Sequence, residues 1–473
     1  MKKVLAIDMG ATSIRGILAY VVDGKLETRE VMRQAHHMVC ESGRWYWQWD
    51  VLIKAISETI IKYASEISAI GIDTWGVDFG LIGENGQLLD TPITYRDDKH
   101  QLGIDICKEK FTLSELFKLT GNQISSINSL FQILALRELS PDLFAKAKKI
   151  LLMPDLVKYF LTGNMSTEAS ILSTTQMLNL ADKNLQSKIF SAFALNENLI
   201  PECLEAGCFV GSTKTSLLPE LREFDIKVVN VAGHDTAGAV LLTEAVNDNE
   251  CLFLSCGTWS LLGACVDHAY LTDEVQAANL TNELGVNGQP LLLQNITGLY
   301  LLEQYKKQLE SALGQPISFN AITEHVSNHT ESYPCFDIDQ PVFGQANVKA
   351  KQAIDQALQA NGCNLPINSF DYFGVIYSSL VAKYKTSIDN LVKLTGKSFK
   401  RLHLIGGGSQ SSYLCQLIAN KIGVEVIAGP KEASALGNII VQLQAVGAIK
   451  SLAEGRKLSE HLSNIHHYYA KGN

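Results

Sequence analysis

The chain has 473 residues, which is too long for a single hydrophobic core and predicts two large domains. Its 46% hydrophobic and 19% charged residues are typical of a well-packed globular protein. The formal net charge of −9 argues against nucleic acid or an anionic membrane as the main partner, because both require basic surfaces. No apolar run approaches the roughly 18 residues that span a bilayer. Asp8 interrupts any signal-peptide core, so we expect a cytoplasmic protein.

The first predicted element is a β-hairpin built around a glycine turn. Residues 3–7 form a short apolar strand, residues 8–13 form the turn, and residues 16–20 form a second apolar strand. The same pattern recurs at residues 251–266, where Ser-Cys-Gly-Thr-Trp-Ser makes the turn. A glycine with hydroxyl neighbours in a tight turn can aim backbone N–H groups at a phosphate. Two such hairpins, one in each half, predict two related domains that face each other.

The most informative segment, residues 231–240, reads Val-Ala-Gly-His-Asp-Thr-Ala-Gly-Ala-Val. It places one acidic side chain, Asp235, among small residues that let a substrate and the backbone approach closely. A lone carboxylate in such surroundings is a candidate general base. The alternative is structural, because an aspartate just before an Ala/Val-rich helix caps its free N–H groups. This segment alone favours the cap, whereas the rest of the chain favours the base.

A third glycine cluster follows a predicted strand near the end of the chain. The strand at 401–405 leads into Gly-Gly-Gly-Ser at 406–409, a helix over 413–422 and another strand over 424–427. Ligands bind at the carboxyl ends of strands in such open α/β sheets. The spacing matches neither the dinucleotide-binding glycine pattern nor the phosphate-loop pattern. A nucleotide at this turn is therefore held by another fold.

Several other features have structural interpretations beside the functional ones. The ten cysteines include no CxxC pair, which predicts reduced and mostly buried thiols. His325 and His329 have the spacing of metal ligands on a helix, but a solvated helix face is favoured because no third ligand is evident. The aromatic run at 45–49 is expected to pack as a strand or hairpin rather than to stack on sugars. Asp73 and Asp78 flank a Trp-Gly pair, and one could hold a sugar hydroxyl while the other braces the loop.

Together these segments resemble the FGGY carbohydrate kinases, in which the hairpin at 8–15, His-Asp-Thr-Ala at 234–237, and the turns at 255–260 and 406–409 occur in this order. The resemblance covers nearly the whole chain. It implies an α/β fold of two duplicated domains like those of actin and hexokinase, of the ribonuclease H-like kind, with an interdomain cleft. Further segments that carry the resemblance are 72–79, 95–97, 152–155, 295–299 and 428–434. The predicted domains are 1–245, which binds sugar and phosphate, and 246–473, which binds nucleotide.

The resemblance also implies roles for individual residues. Asp235 would be the catalytic base, and Asp8 would hold Mg²⁺ through water. Glu303 occupies a position at which other members carry a glutamine near the nucleotide. The residues implied to contact ATP are Ala11, Thr12, Ser13, Ile14, Arg15, Thr258, Glu303 and Gly407. Those implied to contact the sugar are Gly76, His234, Asp235, Thr236 and Asn295.

The implied activity is phosphoryl transfer from ATP, with Mg²⁺ as cofactor, to the C1 hydroxyl of a ketose. Asp-Thr-Trp-Gly-Val-Asp at 73–78 favours L-rhamnulose as the acceptor, giving L-rhamnulose 1-phosphate in L-rhamnose catabolism. Two alternatives remain open. One is the same chemistry on L-fuculose or a pentulose, and the other is an actin-like or chaperone-like ATPase that phosphorylates no small molecule. ATP and a sugar are thus the expected partners, and the sequence does not indicate an oligomeric state.

Overall fold

A computed structural model describes residues 2–329, 332–345 and 347–471. These residues form two compact units. The first unit comprises the described residues of Met1–Leu242, Val266–Leu292 and Ala433–Ser463. The second comprises those of Thr243–Cys265, Leu293–Glu432 and Asn464–Asn473. Among the described helices, none combines the length and the apolar character needed to span a bilayer.

Strands and helices alternate along both units, as in mixed α/β proteins. The strands are β1 (Lys3–Met9), β2 (Ser13–Val22), β3 (Lys25–Ala35), β4 (Met38–Glu41), β5 (Arg44–Trp47), β6 (Ala69–Thr74), β7 (Phe79–Ile82), β8 (Lys149–Leu152), β9 (Thr167–Glu168), β10 (Leu178–Asn179), β11 (Asn184–Leu185), β12 (Cys203–Leu204), β13 (Phe209–Ser212), β14 (Lys227–Val229), β15 (Cys251–Cys256), β16 (Trp259–Cys265), β17 (Thr281–Leu284), β18 (Pro290–Thr297), β19 (Arg401–Ile405), β20 (Glu425–Ala428) and β21 (His466–Tyr468). The helices are α1 (Trp49–Tyr63), α2 (Gln101–Lys108), α3 (Leu113–Thr120), α4 (Ser129–Leu139), α5 (Pro141–Phe144), α6 (Met153–Thr162), α7 (Ala169–Leu172), α8 (Ser187–Ala192), α9 (Asp235–Val240), α10 (Asp273–Ala277), α11 (Tyr300–Leu313), α12 (Phe319–Asn328), α13 (Ala350–Ala360), α14 (Asp371–Thr395), α15 (Ser412–Ile422), α16 (Ala433–Ala445) and α17 (Leu452–Ser459).

The main sheet of the first unit has the strand order β13-β14-β6-β1-β2-β3. Strand β1 pairs antiparallel with β2 and parallel with β6, and β6 pairs parallel with β14. The central strand β6, Ala-Ile-Gly-Ile-Asp-Thr, is buried at every position, as expected for a parallel strand covered on both faces. Helix α1 buries the apolar stripe Leu52, Ile53, Ile56 and Ile60.

In the second unit, six strands run in the order β18-β16-β15-β19-β20-β21. Strand β15 pairs antiparallel with β16 and parallel with β19, and β19 pairs parallel with β20. An antiparallel hairpin beside two parallel strands is therefore common to both units. This repetition is what the two glycine-turn hairpins predicted, and the α/β fold class with a sheet in each half is confirmed.

Several predicted elements coincide with observed ones. The predicted strand 401–405 is β19, and the predicted helix over 413–422 is α15, which begins one residue earlier. The aromatic run at 45–49 lies largely in β5, which pairs with β4 in a hairpin, so its structural interpretation is confirmed. All ten cysteines are free thiols, but only five of them are buried, so the expectation of mostly buried thiols is wrong. His325 Nε2 lies 2.8 Å from Asp371 Oδ1, within hydrogen-bond distance.

Candidate active site

Two aspartates lie side by side where neighbouring parallel strands of the first unit approach their carboxyl ends. Asp8 of β1 is in register with Asp73 of β6, and each residue is 1% exposed. Buried carboxylates require charged or hydrogen-bonding partners, because desolvation opposes their ionised form. Their partners therefore indicate how the protein uses them.

Asp8 is held by a cation and a hydroxyl group. Arg15 lies opposite it in the β1–β2 hairpin, and its Nη2 atom is 2.7 Å from Asp8 Oδ2. The hydroxyl of Ser434 in α16 donates to the same oxygen at 2.8 Å. Residues 11 and 12 lie in the turn between the strands, and Ser13, Ile14 and Arg15 begin β2. The predicted phosphate turn and the predicted metal residue are thus neighbours in one hairpin.

Asp73 is less completely satisfied than Asp8. Its Oδ1 atom accepts a hydrogen bond of 2.5 Å from Asn438 Nδ2 of α16, whereas its buried Oδ2 atom has no hydrogen-bond partner. Burial raises the pKa of Asp73 well above its usual value, and the negative charge of Asp8 raises it further. An unsatisfied buried carboxylate oxygen is a feature typical of functional sites rather than of stabilising ones.

Asp235 is the first residue of α9 and not its cap, since the N-cap position is occupied by His234. The Oδ1 atom of Asp235 accepts hydrogen bonds from the backbone N–H of Thr236 at 2.6 Å and from its hydroxyl at 3.3 Å. The side chain keeps 30% of its surface exposed. Burial raises the pKa of Asp235, the charge of His234 lowers it, and that of Asp8 raises it, with a net upward shift. A half-buried, accessible carboxylate with a raised pKa is suited to accept a proton.

Two glycines bring α9 and α16 into close contact. A Cβ atom added to Gly437 of α16 would lie 2.1 Å from the carbonyl oxygen of Gly238 in α9. Only glycine at position 437 permits such an approach, whereas a Cβ atom at Gly238 would lie 3.3 Å from the carbonyl oxygen of Ser434. The contact fixes α16, which carries Ser434 and Asn438, against the helix that carries Asp235.

His234 lies between two carboxylates. Its Nδ1 atom is 3.3 Å from Glu283 Oε2, and its Nε2 atom is 3.6 Å from Asp235 Oδ1. Burial lowers the pKa of His234, but the nearby carboxylates of Glu283, Asp235 and Glu168 together raise it, so the net shift is upward. Glu283 belongs to β17, which the first unit takes from the second half of the chain. The two carboxylates thereby favour the protonated form of the imidazole next to Asp235.

The backbone before Asp235 is held by a buried glutamate. Glu168 Oε2 accepts hydrogen bonds from the N–H groups of Gly233 and Ser170, each at 2.9 Å. The hydroxyl of Ser170 donates to the same carboxylate and accepts the N–H of His234 at 3.2 Å. Glu168 is 2% exposed, so its charge is compensated mainly by these donors.

The segment that follows β6 lies against the same backbone. The N–H of Thr74 donates to the carbonyl oxygen of Gly233 at 2.9 Å. Four residues later, the fully buried Asp78 accepts hydrogen bonds from the indole N–H groups of Trp47 at 2.6 Å and Trp75 at 3.0 Å. Burial raises the pKa of Asp78 to about 7, against the opposing effect of these donors. Of the two aspartates that flank Trp75 and Gly76, Asp78 is therefore the one that braces the loop.

In the second unit, the turn between β15 and β16 supports the start of α11. The N–H of Leu299 donates to the carbonyl oxygen of Gly257 at 2.9 Å, and that of Tyr300 donates to the carbonyl oxygen of Thr258 at 3.2 Å. Thr258 is half-buried in this turn, and Asn295 is half-buried in β18. Glu303 lies in the first turn of α11, where burial raises the pKa of its carboxyl group.

The third glycine turn lies against the end of β15. Gly406 has a φ of +82°, and a Cβ atom added to Gly408 would lie 2.4 Å from the Sγ atom of Cys256. Gly407 begins a short 3₁₀ turn between β19 and α15, at the carboxyl end of a parallel strand. Thr258 and Gly407 thus belong to adjacent turns of one sheet, the arrangement in which α/β proteins bind ligands.

The donor set in the first unit fits a hard divalent cation that is shared with a substrate. Among the described residues there is no group of three or more His, Cys, Asp or Glu side chains placed to hold a metal ion by themselves. Mg²⁺ in phosphoryl-transfer sites is usually held by one or two carboxylates, by water and by the substrate phosphates. Asp8 beside the phosphate turn, with the unpartnered Oδ2 of Asp73 on the neighbouring strand, meets that requirement.

Sequence reasoning found the acidic residues but not their partners. Ser434, Asn438, Glu168, Ser170 and Glu283 were not among the predicted site residues. Ser434, Asn438 and Gln442 lie at intervals of four residues on a largely apolar helix, and that spacing is a signal for one polar face. Glu283 lies in a strand that is buried at every position, where a carboxylate is unusual and indicates a specific partner.

Each unit has a glycine-turn hairpin beside parallel strands. Acidic residues lie at the hairpin of the first unit, and a further glycine turn lies in the second unit. Together these features define a kinase-type α/β protein that uses ATP. Comparison with known proteins makes this assignment specific. Residues 3–241 match the N-terminal domain of the FGGY family of carbohydrate kinases, and residues 252–446 match its C-terminal domain. The chain belongs to the FGGY family of carbohydrate kinases.

Curated relatives match almost the full length of the chain. A rhamnulokinase from Bacteroides thetaiotaomicron is 35% identical over 96% of this chain and 93% of its own length. Rhamnulokinases from Bacillus subtilis and Lactiplantibacillus plantarum are 33% and 32% identical, over 96% and 100% of this chain and 92% and 96% of their own lengths.

Solved structures support the fold. A ligand-bound xylulose kinase from Lactobacillus acidophilus has a TM-score of 0.80 at 16% identity, over 100% of this chain and 94% of that one. A glycerol kinase from Plasmodium falciparum with ADP has a TM-score of 0.78 at 16% identity, over 100% and 95%. At this level of identity the likeness establishes the two-domain kinase fold and not the substrate.

Proposed function

We propose that the chain transfers the γ-phosphoryl group of ATP to the C1 hydroxyl of L-rhamnulose and produces L-rhamnulose 1-phosphate. The observation that carries the proposal is the state of Asp235, a half-buried, accessible carboxylate whose pKa is raised by burial. Phosphoryl transfer to an alcohol needs a residue that accepts the hydroxyl proton and a site that neutralises phosphate charge. The first unit offers candidates for both.

In the proposed mechanism, the C1 hydroxyl oxygen attacks the γ-phosphorus while a carboxylate oxygen of Asp235 accepts the hydroxyl proton. The bond between the γ-phosphorus and the bridging oxygen to the β-phosphate breaks, and ADP leaves. A positioned general base typically contributes roughly 10²- to 10⁴-fold to the rate. Its Oδ1 atom is held by Thr236, so the carboxylate has a fixed orientation toward the acceptor. Glu283 favours the protonated form of His234, and protonated His234 would favour the ionised form of Asp235 before proton transfer.

The phosphate end of the site is assigned to the β1–β2 turn. Residues 11–15 would bind phosphate oxygens with backbone N–H groups, hydroxyls and the Arg15 guanidinium. Asp8 would hold Mg²⁺ through water, with Ser434 fixing the carboxylate. When bound, Mg²⁺ would neutralise charge on the phosphate oxygens. Because the protein carries a net charge of −9, the positive field of these groups is necessary for phosphate binding at the turn.

The nucleotide is assigned to the second unit. Thr258 would contact phosphate at the β15–β16 turn, Gly407 would lie against the adenosine, and Glu303 in the first turn of α11 would reach the nucleotide. Asn295 is assigned to the sugar. Domain boundaries at 1–245 and 246–473 are supported by the family matches that end at 241 and begin at 252, although Val266–Leu292 and Ala433–Ser463 of the second domain belong to the first compact unit.

The choice of L-rhamnulose rests on the relatives. The curated rhamnulokinases cover 96% or more of this chain at 32–35% identity. Gly76, His234, Asp235 and Thr236 would contact the sugar in the first unit. A site built from such polar groups rejects a sugar with misplaced hydroxyls more strongly than one that lacks a methyl group. We propose that the reaction takes place in the cytoplasm, where ATP is available.

The test is a panel of ketoses with ATP and Mg²⁺, with ADP release measured by a coupled assay and the product position read by NMR. We expect the highest kcat/KM with L-rhamnulose, lower values with L-fuculose, L-xylulose and D-xylulose, and phosphate only at C1. A higher kcat/KM with another ketose would assign the chain to that sugar. ADP release that no ketose stimulates would favour the ATPase alternative.

The assigned base is tested by Asp235→Asn, which keeps the volume and removes the proton acceptor. We expect turnover to fall by two or more orders of magnitude while ATP binding stays within about twofold. The matched control is Asp225→Asn, at a side chain 57% exposed in the same unit. Turnover of the Asp235→Asn variant within a few-fold of wild type would refute the role.

A further inference from the structure

The loop after β6 contains a valine in a conformation that valine seldom adopts. Val77 has a φ of +71°, in the left-handed region. The N–H of Asp78 donates to the carbonyl oxygen of Gly76 at 2.9 Å, which closes a three-residue γ-turn with Val77 at its centre. A β-branched residue at such a φ is a true outlier, and such strain persists only where the surroundings impose it.

Side chains from two other segments hold this turn. The hydroxyl of Ser129, the first residue of α4, donates to the carbonyl oxygen of Val77 at 2.5 Å, and Gln132 Nε2 is 3.4 Å from the same oxygen. The N–H of Val77 donates to Thr174 Oγ1 at 3.2 Å. Ser129 is fully buried and Thr174 is 5% exposed, so solvent cannot replace these bonds.

The residue after Val77 is fixed equally firmly. The carbonyl oxygen of Asp78 accepts the N–H of Met153 at 2.9 Å, and its carboxylate accepts both indole N–H groups and Gln132 Nε2. The rings of Trp47 and Trp75 lie 4.2 Å apart. The strained peptide is thus clamped on both sides, and relaxation of Val77 to a negative φ would require these bonds to break.

The turn lies beside the proposed base. Thr74, three residues before Val77, donates its N–H to Gly233, and Gly233 precedes Asp235 by two residues. Within the turn, Trp75 and Val77 are buried, whereas Gly76 is half-buried. A Cβ atom at Gly76 would come within 3.2 Å of the Thr174 side chain. The accessible part of the turn is therefore the backbone of Gly76.

We propose that Ser129 is a positioning residue for the acceptor sugar, because its hydroxyl holds the strained Val77 turn that presents the backbone of Gly76 to the ketose. This inference rests on the proposed function. Ser129 itself is buried and touches the turn, not the sugar. Its loss should therefore weaken sugar binding and leave nucleotide binding unchanged.

The test combines Ser129→Ala with two substitutions of Val77 that differ in the backbone they tolerate. Val77→Ala and Val77→Gly both remove the side chain, but only glycine adopts the left-handed region freely. With the best ketose from the panel, we expect Ser129→Ala to raise KM for the sugar at least tenfold, with KM for ATP within twofold. We expect the same increase in the Val77→Ala background and at most a threefold increase in the Val77→Gly background. Val77→Gly should also melt at a higher temperature than Val77→Ala.

The control is Ser57→Ala, which removes a buried helical hydroxyl that donates to the carbonyl oxygen of Lys54 in α1. It should leave both KM values unchanged. Equal increases in the KM for sugar and for ATP after Ser129→Ala would indicate a general structural role and overturn the proposal. Failure of Val77→Gly to rescue would overturn it as well. If no ketose is accepted, the proposed function fails, and the melting comparison still decides whether the turn is strained.

Discussion

Glu168 is predicted to couple the stability of the first unit to the position of the proposed base. Glu168→Ala leaves the N–H groups of Gly233 and Ser170 without their acceptor in a buried region. Each buried unsatisfied donor costs about 1–3 kcal/mol, so we expect a loss of about 2–6 kcal/mol in the free energy of unfolding. Gly233 lies two residues before Asp235, and a displacement of about 1 Å at a reacting group can cost about 10²-fold in rate. We therefore expect kcat to fall by at least about tenfold.

The assays are urea unfolding, followed for each transition separately because a chain with two units need not unfold in one step, and kcat at saturating sugar and ATP. Glu168→Gln keeps one acceptor oxygen and should lose less stability than Glu168→Ala. Glu202→Ala, at an exposed glutamate nearby in the chain, is the matched control and should change neither quantity. An unfolding free energy of Glu168→Ala within about 0.5 kcal/mol of wild type would refute the reasoning, since that is the size of ordinary surface effects.

Three further predictions concern charged groups. Asp8→Asn should raise the Mg²⁺ concentration for half-maximal activity at least about tenfold, and an unchanged metal titration would contradict the assignment of Asp8. Asp78 has a folded-state pKa of about 7, above its unfolded value, so its ionisation opposes folding as pH rises from about 4 to 7. The unfolding free energy of wild type should therefore fall more between pH 5 and pH 8 than that of Asp78→Asn, and parallel profiles would count against this. Glu283→Gln should shift the NMR titration of His234 to lower pH, and an unmoved titration would exclude the pairing.

Local patterns in the sequence predicted the elements that local physics determines. Strand β19 begins and ends at the predicted residues because the glycine turn terminates an apolar run. The neighbourhood of Asp8 and Arg15 follows from the hairpin register, which a short turn fixes. The role of Asp78 could not be decided from the sequence, because its two indole donors come from different segments.

Contacts between distant segments were beyond sequence reasoning. Ser434 reaches Asp8 across 426 positions of the chain. Asn438 reaches Asp73 across 365. Nothing in the sequence near either aspartate specifies such a partner. Helix α16, which carries both partners, comes near these aspartates only in the folded protein. The positive φ of Val77 could not be predicted from the sequence either, because valine disfavours that conformation and only tertiary hydrogen bonds impose it.

The destabilising features of the first unit, its buried carboxylates and its strained valine, are clustered in one part of the chain. The buried carboxylates of Asp73 and Asp78, with raised pKa values, and the strained Val77 all oppose folding, yet they lie within a few residues of one another on and after β6. Random defects would be scattered, whereas selection for a site concentrates them where polar groups must meet a substrate. The burial of apolar side chains offsets these costs, in a core of the same unit to which α4 contributes together with strands β7 and β8. The apolar core thus stabilises the first unit, whereas the residues of the site destabilise it. Substitutions at the site are therefore expected to lower activity without lowering the stability of the fold to the same extent.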